Sequence, residues 1–137
     1  MILTFSETEF KGLIEQGIKI HTVRRDRKGR WKVGMKIHFW LGNPRNTRGK
    51  IKPHQFGEGE VSRVEKIRMD FQKDETDNLD TVWIGDDICL RKIDELNALA
   101  VNDGFENWAQ MRLWFDNPDG QYFGKLIFWK NFKTIEL

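Results

Sequence analysis

A single cysteine in 137 residues, Cys89, rules out an internal disulfide and a cysteine-rich zinc site. The three histidines, His21, His38 and His54, are scattered without metal-ligand spacing. No metal and no cofactor is therefore expected. Long hydrophobic runs are missing too: none approaches the roughly 20 residues of a membrane helix, so no membrane association is expected. The opening Met1-Ile2-Leu3-Thr4-Phe5 has no basic segment followed by a long apolar one, which argues against a signal peptide. With only one cysteine, the setting that fits is cytoplasmic. Internal repeats, low-complexity tracts and domain linkers are also absent, so residues 1–137 read as one domain.

What is present is a hydrophobic fraction of 39% beside a charged fraction of 32%, the balance of a globular chain and not of a disordered one. Six tryptophans and ten phenylalanines give an unusually aromatic supply for the core or for stacking. The net charge of +2 conceals a division: residues 1–50 carry +8 and the remainder −6. Such a division either builds one positive face that attracts phosphates or cancels across the fold.

Periodicity predicts a short strand at Ile2–Phe5, then a helix with Ser6 as N-cap, Phe10, Leu13 and Ile14 on one face and Gly17 at its end. Residues 19–25 return to β-branched and basic character, and 26–34 read as a loop. In "MKIHFWLG", Ile37, Phe39 and Leu41 alternate with Lys36, His38 and Trp40, a strand with two faces. Residues 43–55 are polar and basic and read as a long loop insertion. A strand with a bulge is expected over 56–72, an acidic turn over 73–80, and a strand interrupted at Gly85 over 81–90. Two helices follow, with Ile93, Leu96, Leu99 and Ala100 on one stripe and Trp108, Met111, Trp114 and Phe115 on the next. A closing strand at 122–132 completes an α+β order whose sheet is expected to close into a barrel. Cys89, flanked by apolar residues, reads as core.

The chemistry-bearing segment is Gly17-Ile18-Lys19-Ile20-His21-Thr22-Val23-Arg24, followed by Arg25. Lys19 and Thr22 are three apart, which sends them to opposite faces of a regular strand. A turn just after a helix brings them together instead, and an amine of depressed pKa beside a hydroxyl is then able to support nucleophilic chemistry. The alternative is a solvated basic turn. Trp40, on the polar face of its strand among Lys36 and Arg30, suits either base stacking or a cation–π contact.

The same eight residues match the GxKxxTxR pattern of ASCH domains, of the PUA-like superfamily. The turn-glycine-strand "WKVGMKIHFW" and the "NDGF" corner between two helices are similar to that family as well. The resemblance implies a mixed, mostly antiparallel β-barrel flanked by helices, with a cleft lined by the motif. It implies RNA, a nucleotide or a modified nucleoside as partner, with His21, Arg24 and Arg25 as binding residues, to which the interleaving of aromatic and basic residues adds Trp40. One bacterial branch of the family hydrolyses N4-acetylcytidine with a lysine, a threonine and a glutamate. Lys19 and Thr22 match the first two, and Asp103, one methylene shorter, stands in the segment of the third. The expected function is thus RNA or nucleotide binding, and the alternative an amidohydrolase using Lys19, Thr22 and Asp103.

Overall fold

The computed structural model describes residues 1–46, 48–49, 52–72 and 80–135. Its elements are β1 (Ile2–Phe5), α1 (Thr8–Glu15), β2 (His21–Arg24), β3 (Lys36–Leu41), β4 (His54–Asp70), β5 (Thr81–Ile84), β6 (Ile88–Leu90), α2 (Ile93–Asn102), α3 (Trp108–Phe115) and β7 (Gln121–Thr134).

The 17-residue β4 is the spine of the sheet. One edge of β4 pairs antiparallel with β7 from Gly57↔Thr134 to Asp70↔Gln121. The other edge pairs first with β3 and, further along, with β5. β1 adds in parallel to β3, β6 antiparallel to β5, and β2 antiparallel to β7. Register shifts at Glu58/Glu60 and Val61/Arg63 are the bulges behind the change of parity along β4, since an extra residue moves every later side chain to the other face.

The sheet is open, and the expected closure into a barrel is overturned. Among the described residues β1 pairs with β3 alone and β2 with β7 alone. The physical reason lies in the seam between them. The Thr4 carbonyl on β1 accepts from Arg24 Nη2 of β2 at 2.6 Å, so a side chain takes the place a strand partner would fill. The grouping of helices apart from most strands is compatible with an α+β class.

Apolar periodicity places the core on two sides of this sheet. Ile67, Met69 and Leu126 pack with Leu96, Trp108 and Met111 of the α2–α3 corner. Leu3, Phe5, Ile37 and Phe39 pack with Ile14 of α1 and with Val61. The alternation in β3 puts Ile37, Phe39 and Leu41 inside, as period two requires.

Local details differ from expectation. Helix α1 has Glu7, not Ser6, at its N-cap, with no side-chain capping bond. Cys89 is exposed, because β6 is the outermost strand and its side chains have no layer above them. Ile93 and Trp114 are also exposed. β4 begins at His54, inside the expected loop of 43–55, of which residues 47, 50 and 51 lie outside the described residues. Of the expected acidic turn at 73–80, residues 73–79 also lie outside them. Among the described residues no helix is long and apolar enough to cross a membrane.

Candidate functional site

Three segments meet at the open seam: the end of β1, the stretch from Lys19 through β2, and the Asp103–Phe105 corner after α2. They enclose a cavity of about 100 Å³. Its polar wall is Lys19, Thr22, Arg24 and Asp103, and its aromatic wall includes Phe10, Phe105 and Trp114. The three rings meet edge to face, with centroids 5.5–5.8 Å apart.

Lys19 is almost wholly buried. Its Nζ donates to the His21 carbonyl at 2.8 Å and, in a short hydrogen bond, to the Asp103 carbonyl. It also lies 4.9 Å from the Phe10 ring centroid and 3.6 Å from Asp103 Oδ1. Burial lowers its pKa to about 8, and Arg24 adds to the fall while Asp103 opposes both. A neutral amine has two N–H bonds and one lone pair. The two carbonyls use the N–H bonds, and the lone pair remains to accept a proton.

Asp103 caps the C-terminus of α2, and its Oδ1 is shared: it lies 2.8 Å from His21 Nδ1 and 3.6 Å from Lys19 Nζ. The shorter side chain does not reach Lys19 as closely as the main-chain carbonyl of the same residue does. His21 is buried against Phe128 and outside the cavity lining, so it braces Asp103 instead of facing a ligand. Gly104, at φ +95°, makes the corner possible: a Cβ there would lie 2.8 Å from Lys19 Cδ.

Arg24 lines the cavity with its guanidinium 4.9 Å from the Phe5 ring centroid. Burial depresses its pKa below the ordinary range, with Asp103 opposing. Its Nε is buried and has no hydrogen-bond partner among the described residues. Thr22 is buried in the same wall, with no side-chain hydrogen bond to the described residues.

The structure therefore brings together Lys19, Thr22, Arg24 and Asp103, with His21 behind them. Three expected binding residues lie outside the cavity lining: His21, Arg25 and Trp40. Arg25 is exposed and sits 4.6 Å from the Tyr122 ring centroid, because its neighbour Arg24 points into the seam and alternation sends it away. Trp40 is half-buried on β3, one strand beyond Thr4 in the register. Phe10, Phe105 and Trp114 were expected as packing residues or not singled out, yet they build the aromatic wall. The signal for Trp114 was its place on α3: Trp108, Met111 and Phe115 are buried, and Trp114, on the flank of that stripe, is 51% exposed. Among the described residues no group of three or more His, Cys, Asp or Glu is placed to hold a metal ion.

Comparison with protein-family models, with curated proteins and with solved structures finds no match to this chain.

Proposed function

We propose that the seam cavity is a binding site for the base of a nucleotide or of RNA, in keeping with the likeness of its Lys19–Arg24 segment to ASCH domains. The observation that carries this reading is the pairing, in one cavity, of the cationic Lys19 and Arg24 with the Phe10, Phe105 and Trp114 rings. The volume of about 100 Å³ holds about three waters, or one flat ring, and not a whole nucleoside. The base would enter beside Phe10 and Trp114, with its sugar and phosphate at the mouth. Lys19 and Arg24 outnumber Asp103, so carbonyl oxygens or an anionic group are favoured.

Calorimetric titration with the common nucleoside monophosphates tests this. Wild type should bind at least one, and Arg24→Gln and Trp114→Ala should each lose tenfold or more. Binding that is absent throughout, or unchanged in both variants, would remove the proposal.

The second reading is hydrolysis of an N-acylated nucleoside such as N4-acetylcytidine. It is favoured by the Lys19 amine at about 8 in the same cavity wall as the Thr22 hydroxyl. Thr22 Oγ would attack the acyl carbonyl carbon as Lys19 Nζ takes its proton. Lys19 would then return that proton to the departing cytosine amine, leaving an acyl ester on Thr22 for water to cleave. Chromatography of N4-acetylcytidine incubated with wild type, Lys19→Ala and Thr22→Ala decides it. Acetate released only by wild type supports hydrolysis, and no release by any form counts against it.

A further inference from the structure

A second concavity lies on the face of the sheet turned away from α2 and α3. Ile67, Met69 and Leu126 point inward, so by alternation Lys66, Arg68 and Lys125 point outward. There Trp83 of β5, Arg68 of β4 and Phe123 of β7 stand in one row across three strands, paired Arg68↔Trp83 and Arg68↔Phe123. The Arg68 guanidinium lies 3.9 Å from the Trp83 ring centroid, and its Nε is buried without a partner among the described residues. Phe123 is 57% exposed, a large ring left in solvent on a strand whose inward residues are buried.

One step along the ladder, Lys66 and Lys125 face each other directly. Like charges opposed across a sheet destabilise it, and among the described residues neither lysine has an ion pair. Arg27 completes the cationic rim of a groove of about 430 Å³. Of the two carboxylates lining it, Asp26 accepts from the N–H groups of Arg30 and Trp31, at 2.8 and 3.0 Å, and stays anionic with the Lys125 charge nearby, which leaves Arg27, Lys66 and Arg68 in excess. Asp86 is exposed at the edge. Cationic charge in excess, opposed lysines and exposed rings are together what a flat, phosphate-bearing chain requires.

We propose that this β5–β4–β7 groove binds a segment of single-stranded RNA, its phosphates on Lys66, Lys125 and Arg27 and a base stacked on Phe123 beside the Arg68–Trp83 pair. The inference rests on the nucleotide reading of the seam cavity and extends it. Arg24 lines that cavity, and Asp26 and Arg27, two and three residues further on, line the groove, so one stretch of chain contributes to both. An acidic peptide matches the lysines but offers no flat group to Phe123.

Fluorescence anisotropy with a labelled oligouridylate at several salt concentrations tests this, on wild type, a Lys66→Ala/Lys125→Ala double variant and Phe123→Ala. A cooperative thermal unfolding transition, no lower than wild type's for the double variant, confirms folding. The double variant should lose about tenfold or more in affinity, and its salt slope should shrink by about 1.4, the share of two phosphates on a single strand. Phe123→Ala should lose roughly five- to tenfold, the contribution of one stacked base. Polyglutamate competing as well as unlabelled RNA would overturn the proposal in favour of an acidic partner. Affinity lost only in Arg24→Gln and Trp114→Ala would overturn it and leave the cavity reading intact. Affinity lost only in the groove variants would uphold it and count against the cavity. Wild type that fails to bind the oligomer overturns it, while the nucleotide titration still judges the cavity.

Discussion

Lys19 is a buried amine that the fold keeps at a cost, and the cost depends on pH. Its pKa of about 8 in the folded protein lies below the ordinary value of 10.5, so the unfolded chain binds more protons between those values. Stability therefore rises with pH across that window and is lowest below it. Relative to Lys19→Met, wild type should gain about 2 kcal/mol of unfolding free energy between pH 7.5 and pH 10, measured by urea denaturation. A flat difference between the two proteins would mean that the amine is not desolvated as its surroundings indicate. If the protein is a hydrolase, the same ionisation sets its profile: kcat/KM should rise with pH and level off above about 8, as Lys19 becomes able to accept a proton. Gly104 supports this amine from the outside. Gly104→Ala would place a methyl 2.8 Å from Lys19 Cδ and 3.0 Å from Phe10 Cδ1, at a backbone angle that alanine rarely adopts. Loss of about 1–3 kcal/mol in stability, together with weaker nucleotide binding, is the expected result.

At the scale of elements, α3 positions the aromatic wall, and its start is held by two asparagines. Asn107 Oδ1 accepts from Gln110 N at 3.0 Å, and Asn97 Oδ1 of α2 accepts from Trp108 N at 2.9 Å. Asn107→Ala should cost about 1 kcal/mol in urea unfolding and weaken nucleotide binding through Trp114, whereas an exposed cap with no link to the cavity would change stability alone. Elements with strong periodicity were legible from sequence: β3 by its alternation, α2 and α3 by their stripes, and the β5–β6 interruption by Gly85. Lys19, Thr22 and Arg24 of the motif segment line one cavity with Asp103, a placement that the motif's spacing alone does not give. Trp114 was misjudged because a helical stripe has flanks, and spacing does not say which flank a neighbouring layer covers. Arg25 and Trp40 lie outside that cavity: Arg25 alternates away from Arg24, and Trp40 stands on the outward face of β3. The closed barrel was misjudged because closure depends on two distant edges meeting, and no local pattern records that a side chain stands between them.

For the whole molecule, the proposed binding site lies where the sheet stays open. A sheet with free edges invites pairing with other chains, and here the edges are short: β1 and β2 have four residues each and β6 three. Between β1 and β2 the separation is bridged by the bond from Arg24 to Thr4, and the cavity occupies the rest. A ligand seated there touches both edges at once and adds its binding free energy to every opening motion that must expel it. At a hundredfold excess over Kd that contribution is about 2.7 kcal/mol, equivalent to roughly hundredfold slower exchange through such openings. Hydrogen exchange with and without saturating nucleotide should therefore show slowing at β1 and β2, with β6, at the far edge of the sheet, unchanged. Protection confined to β4 and β7 would locate the nucleotide on the outer groove instead of in the seam. No protection at either place would dissociate ligand binding from the unclosed sheet and leave the seam as an ordinary edge.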